Sequence, residues 1–160
     1  MIGFIRNLRR DERGASIVEL ALVAPFMAAM VIGMTDLARA YSMKLQLEQI
    51  AQRTIEQVEQ QKSVSTSYNT ALTTEATAAA SDAGFTSGNT ITPDSWLECG
   101  TNTTHQTFTG SCSTAGDATA RYVSISITRF YTPFFASRHW PGANSQGKIA
   151  VSGYAALRMQ

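Results

Sequence analysis

Arg13-Gly14-Ala15-Ser16-Ile17-Val18-Glu19-Leu20-Ala21-Leu22-Val23-Ala24-Pro25 opens an apolar run that continues to Met34, and the rest of the chain is organised around it. From Ala15 to Met34 the only charged residue is Glu19, and from Leu20 onward there is none. The run has the length of about 20 residues that a bilayer-spanning helix needs. An acid in such a segment costs about 2.5–3.5 kcal/mol at the bilayer centre, and less near the interface. Leucine would serve a plain anchor better. Glu19 therefore reads as a functional group whose partner has to be identified.

The residues just before it supply a candidate. A cut between Gly14 and Ala15 creates a positive α-amine at Ala15, one helical turn below Glu19. In a bundle of such helices the carboxylate of one subunit meets the amine of its neighbour and sets their axial register. Neutralising the two charges together offsets much of the cost of burying either one.

Gly-Ala-Ser-Ile-Val-Glu-Leu-Ala-Leu-Val-Ala-Pro-Phe, residues 14–26, resembles the processing site and hydrophobic helix of type IV-like prepilins. It is most similar to the TadE family of minor pilins, or pseudopilins, of the Tad/Flp pilus. The family pattern is a glycine, four residues, a glutamate, then apolar residues with a proline about a turn and a half further on. The resemblance covers about the first quarter of the chain. It implies that Gly14 is the last leader residue, that Ala15 is the mature N-terminus and that Glu19 is the register-setting acid. It also implies a prepilin peptidase acting on this chain, association with other pilin or pseudopilin subunits and the inner-membrane assembly platform, and a role in pilus initiation, assembly or adhesion. No cofactor is implied. In filament-forming pilins a proline such as Pro25 permits local stretching of the helix. A tolerated membrane-helix proline with no role fits Pro25 as well, since proline is common in such helices.

The residue pattern divides the chain into a leader over 1–14, a transmembrane helix over 15–35, an amphipathic continuation over 36–61 and an extracytoplasmic head over 62–160. The leader holds Arg6, Arg9, Arg10 and Arg13 against Asp11 and Glu12. This balance keeps it cytoplasmic by the positive-inside bias and puts the head outside a bacterial inner membrane. Without residues 1–14 the formal charge falls from +1 to −1, so the basic character belongs to the leader. No Lys/Arg cluster lies elsewhere, which argues against nucleic acid as a partner.

Residues 36–61 lack Pro and Gly and are rich in helix formers. Met43, Leu47, Ile50, Ala51, Ile55 and Val58 recur at spacings of three and four, making one apolar stripe. The helix is expected to run from about Ala15 to Gln60, roughly 70 Å at about 1.5 Å per residue. Its stripe requires a partner, either its own head or a coiled coil with another protein. Ser63 to Thr70 reads as a loop. Ala71–Ala83 reads as an Ala-rich second helix capped by Gly84. Short strands are expected near Ile91 and Trp96–Glu98. Asn102-Thr103-Thr104 matches a glycosylation acceptor, but an ordinary polar loop is the better reading of so short a pattern. Val123, Ile125 and Ile127 alternate with Ser124, Ser126 and Thr128, and Ile149, Val151, Gly153, Ala155 and Leu157 alternate likewise. Both read as half-buried strands whose apolar faces suit the helix stripe. The expected fold class is α+β: a long N-terminal helix packed on a small antiparallel sheet with a second helix.

Cys99 and Cys112 lie well beyond the membrane run. The export signal favours a disulfide over two reduced thiols, closing a loop worth about 3 kcal/mol in the chain-entropy model. The connection holding Tyr131, Pro133, Phe134, Phe135, His139, Trp140 and Pro141 is read as a satellite core in preference to an exposed contact patch. No G-x-S-x-G, G-x-x-x-x-G-K, H-E-x-x-H or C-x-x-C occurs, and His105 and His139 have no acids at metal-ligand spacing, so neither an enzyme nor a metal site is expected.

Two alternatives stay open from the residues alone. Ala38-Arg39-Ala40 satisfies the small-x-small rule of a signal peptide, and a cut after Ala40 would release a soluble protein. Against it stand Glu19, an apolar run longer than the usual 7–15 residues, and Thr35-Asp36 between that run and the cut. The other is an unprocessed single-pass anchor in which Glu19 snorkels toward the interface.

Overall fold

In this computed structural model the described residues are 12–60, 68–100, 102–114, 116–134, 138–139 and 141–159. The order of elements is α1 (Glu12–Gln60), α2 (Tyr68–Asp82), β1 (Asn89–Cys99), β2 (Asn102–Thr107), β3 (Thr119–Tyr131) and β4 (Ile149–Met159). The fold is α+β. The chain separates into two compact units, Met1–Arg39 and Ala40–Gln160, with the boundary inside α1.

In the second unit, here called the head, the stripe on α1 packs on its own sheet. Leu47, Ile50, Ala51, Ile55 and Val58 are buried in one cluster with Val123, Ile125 and Ile127 of β3, and Met43 packs against the edge of that cluster. This excludes the coiled-coil use of the stripe, because the face is already occupied. Thr54 is also fully buried between those apolar positions. Its hydroxyl donates to the Ile50 carbonyl one turn back at 2.8 Å, which satisfies the group within the helix.

The second helix starts earlier than expected, at Tyr68, so part of the expected loop is helical; residues 61–67 lie outside the described set. Leu72, Ala76, Ala79 and Ala80 face the core, and α2 packs on β1 and β3. Its end is a Schellman motif. Phe85 N–H donates to the Ala80 carbonyl at 2.8 Å, Gly84 N–H donates to Ser81 at 2.9 Å, and Gly84 takes φ +84°.

The sheet is antiparallel with order β2-β1-β3-β4. The alternation in β3 and β4 places Val123, Ile125, Ile127, Val151, Ala155 and Leu157 toward the helices. Three features differ from expectation. The two short strands near Ile91 and Trp96 are one strand, β1, which continues through Pro93. Proline is accommodated because β2 pairs only with Trp96–Cys99, so Pro93 has a strand neighbour on the β3 side alone. Asn102-Thr103-Thr104 is the start of strand β2 and not an ordinary polar loop. Finally, Gly153 is more than one member of an alternating face. A Cβ built on it would lie 2.2 Å from the Leu47 carbonyl carbon and 2.4 Å from Glu48 N, so α1 crosses β4 at backbone contact.

Cys99 and Cys112 are bonded, with Cα atoms 5.7 Å apart, and close the loop that contains β2. The connection after β3 is not simply a satellite core. Tyr131 and Pro133 are buried, whereas Phe134 is 58% exposed and His139 is exposed. Phe135 and Trp140 lie outside the described residues.

Candidate assembly site

α1 is assigned as helix from Glu12, so Gly14 and Ala15 fall in its first turn of backbone. Glu19 follows Ala15 by four positions and is exposed. Two residues this far apart on an α-helix lie on the same face, one above the other. α1 runs through Pro25 without a break. Having no N–H, Pro25 leaves the Ala21 carbonyl without its usual acceptor role in the helix ladder.

Every residue from Ser16 to Thr35 is exposed. Ile17, Leu20, Leu22 and Met34 are each about 70% open or close to it, at 71%, 68%, 74% and 70%. Among the described residues this is the one helix long and apolar enough to cross a membrane, and none of its apolar window is buried within the chain. A continuous apolar surface of this extent marks a partner or a membrane, because water cannot stabilise it. Within it Glu19 is the only ionisable side chain between Ser16 and Thr35.

A family model described as TadE-like protein matches residues 14–55. Over those residues the chain is similar to TadE-like proteins. The matched segment begins at Gly14, includes Glu19 and Pro25, and ends at Ile55 within the buried stripe. It takes in the exposed apolar helix and most of the amphipathic continuation. It leaves out α2 and the whole sheet. No curated protein and no solved structure matches the chain. The matched segment overlaps the candidate span.

The head, outside the matched segment, carries a second group of residues that sequence reasoning did not bring together. On the sheet face opposite the helices, the Trp96 ring stacks on His105 at 4.2 Å and on Tyr122 at 5.4 Å. His105 Nδ1 lies 3.8 Å from a carboxylate oxygen of Asp94, and Trp96 Nε1 donates to Glu98 at 2.9 Å. His105 therefore sits on a strand, in a three-strand stack, and not in a loop. The visible signal was the period-two placement of Trp96 and Tyr122. Their pairing depended on register across β1 and β3, which no local pattern encodes.

Behind this stack the helix side is tied down by cations. Arg121 donates to the Phe108 and Gly110 carbonyls at 3.1 and 3.4 Å. Arg129 donates to the Asn89 side chain at 2.8 Å and to the Ser87 carbonyl, and lies over the Phe85 ring. A cavity of about 320 Å³ between α1 and α2 is lined by Gln46, Gln49, Ile50, Arg53, Ala79, Asp82 and Ala83. Arg53 and Asp82 face each other across it at 3.9 Å and are both exposed, so the pair adds little stability.

Proposed function

We propose that this chain is the precursor of a minor pilin of the Tad/Flp system. A prepilin peptidase removes residues 1–14 by cutting between Gly14 and Ala15. The mature subunit spans the inner membrane once over 15–35, with its N-terminus on the cytoplasmic side. Residues 36–61 carry the helix into the periplasmic or extracellular head, whose remaining part is 62–160. Subunits associate laterally through the apolar helix, where Glu19 meets the Ala15 amine of a neighbour, and Pro25 lets the helix stretch. The chain is a structural partner in pilus initiation, assembly or adhesion, working with other pilins and the assembly platform. It has no reaction of its own.

One observation carries this reading. The TadE-like segment starts at Gly14 and coincides with a fully exposed apolar helix whose single ionisable group is Glu19. N-terminal sequencing of the membrane-associated protein tests it. A product that starts at Ala15 is expected; one that starts at Met1 refutes the processing.

A second reading, release after Ala40, is favoured by the boundary of the compact head, which falls between Arg39 and Ala40. Against it, α1 continues unbroken through Ala38-Arg39-Ala40 and offers no extended segment for a peptidase. A soluble product beginning at Tyr41 would decide for release.

A further inference from the structure

β2 is the shortest strand of the head and the one with the least support. It is six residues long, its pairing with β1 reaches only from Trp96 to Cys99, and the register shifts between Leu97 and Cys99. Thr104, His105 and Thr107 are exposed and Gln106 is half-buried, so these residues leave no core position empty when they move. Both ends of the segment are fixed independently of that pairing. On one side Gly100 N–H donates to the Ala118 carbonyl at 2.8 Å. On the other, Arg121 holds the Phe108 and Gly110 carbonyls, and the Cys99–Cys112 bond closes the loop. Asn102–Thr107 can therefore part from β1 while the rest of the head keeps its contacts. Segments with few buried contacts open locally at low cost.

On the outer face of the sheet the strand is held by His105. Its ring lies 4.2 Å from the Trp96 ring and within 9° of parallel, and Nδ1 is 3.8 Å from an Asp94 carboxylate oxygen. A neutral imidazole contributes stacking alone. An imidazolium adds a cation over the face of tryptophan, the best ring for such a contact, and an ion pair with the carboxylate. Imidazoles ordinarily change charge between about pH 5 and 8.

The charges around this ring favour the proton. From β1, Asp94 and Glu98 share the outer face with Trp96, and Glu98 is held there by Trp96 Nε1–H at 2.9 Å. At the turn into β2, the Asp117 carboxylate lies against Gly100. β2 has no other titratable side chain, and between Ala120 and Thr128 the outer face of β3 presents Tyr122 and no charge. Two cations stand apart. Arg121 is on the helix side of β3, reaching the Phe108 carbonyl. Arg158 pairs with Tyr122 from β4, three strands and about 14 Å from β2. That distance exceeds a Debye length in physiological salt.

We propose that β2 is a proton-responsive flap: protonated His105 clamps it across Asp94 and Trp96, and loss of that proton loosens it. The closed strand binds the proton more tightly than the open one, so the clamp is complete below the range in which the imidazole deprotonates and weakens as pH rises through it. Loosening bares one face of the Trp96 ring and the backbone edge of β1 from Trp96 to Cys99. The device belongs to the head and does not depend on how the N-terminal segment is processed.

The test is amide hydrogen exchange in the full chain, in detergent with the disulfide intact, at about pH 5.5 and about pH 8, each rate divided by the intrinsic rate at that pH. Carboxylates ordinarily stay ionised across this range and imidazoles do not. Protection over Asn102–Thr107 is expected to be about two- to five-fold greater at the lower pH, the size of a cation–ring contact at an exposed site, while the β3–β4 ladder is unchanged. His105→Phe keeps a ring on Trp96 but cannot be protonated, so its β2 protection should be equal at both pH values. Asp94→Asn keeps the imidazolium and removes the ion pair, so the ratio should fall yet stay above one. Equal protection at both pH values in wild type overturns the proposal. So does a wild-type ratio in His105→Phe, which assigns the effect to another group, or an unchanged ratio in Asp94→Asn. Where phenylalanine leaves β2 unprotected throughout, nuclear magnetic resonance of the wild type decides. β2 amide shifts that titrate together with His105 Cε1 support the clamp, and amide shifts that do not follow it overturn it.

Discussion

Gly153→Ala is the substitution with the largest consequence that can be worked from the head's geometry. The added Cβ would sit 2.2 Å from the Leu47 carbonyl carbon, where ordinary contact begins at 3.4 Å, so α1 and β4 must part by about 1.2 Å. The obstacle is helix backbone, which has no alternative rotamer. Leu47, fully buried beside it, loses close contacts as the helix lifts, and a gap of about 0.5–1 Å already forfeits a quarter to a half of each contact's attraction. Overpacking usually costs about 1–3 kcal/mol, and a backbone obstacle puts this case at the top of that range. Gly153 does not have a positive φ, so alanine fits its backbone and recovers about 0.4–1 kcal/mol through the unfolded chain. The net loss is about 2–2.6 kcal/mol. For a head of this size that lowers the melting temperature by roughly 6–13 °C. The assay is thermal unfolding of the full chain in detergent, followed by near-UV circular dichroism with the disulfide intact. Ser152→Ala, one residue away on the exposed face, is the control and should stay within about 0.5 kcal/mol of wild type. A Gly153→Ala protein with the melting temperature of wild type would show that α1 does not cross β4 at backbone contact.

Other expected outcomes follow from the same structure. Gly14→Trp should leave an uncut precursor in the membrane, read as a band larger than wild type by the mass of the leader. Glu19→Ala should insert at least as well as wild type, because it removes a cost of up to about 2.5–3.5 kcal/mol, yet fail to form pili when scored by electron microscopy. Replacing Cys99 and Cys112 together by serine should destabilise the head by about 3 kcal/mol, seen as a lower denaturant midpoint that added reductant no longer shifts. Trp96→Ala should leave the melting temperature of the helix-side core nearly unchanged and loosen β2, measured as faster amide exchange over Asn102–Thr107.

Much of this architecture is visible in local patterns. The apolar run with its single acid defines α1's first half, and the spacing of Leu47, Ile50, Ala51, Ile55 and Val58 defines the buried face of the second. Gly84 ends α2 because a positive φ is cheap only for glycine. The alternations around Ile125 and Val151 are enough to identify β3 and β4. These features are encoded within one or two turns or a few strand residues, so reading them requires no knowledge of the rest of the chain.

Contacts between distant segments were not open to that kind of reading. Strand β2 is Asn, Thr, His and Gln, a composition that signals a loop until β1 supplies hydrogen bonds and Trp96 supplies a ring for His105. The strands expected near Ile91 and Trp96–Glu98 are one strand through Pro93, and only the sheet order shows that a proline is tolerated there. Thr54 interrupts no pattern, yet it is buried, because whether a helix face is covered depends on what lies across from it. The amino-acid sequence alone determined where the long apolar helix lies, which group within it is ionisable and which faces must be buried, since each of these is a property of neighbouring residues. Tertiary structure alone decided that Gly153 lies under Leu47, that Trp96, His105 and Tyr122 share one face, and that β4 is an edge strand of the sheet. Each of those depends on register between segments far apart in the chain, and register is set by packing.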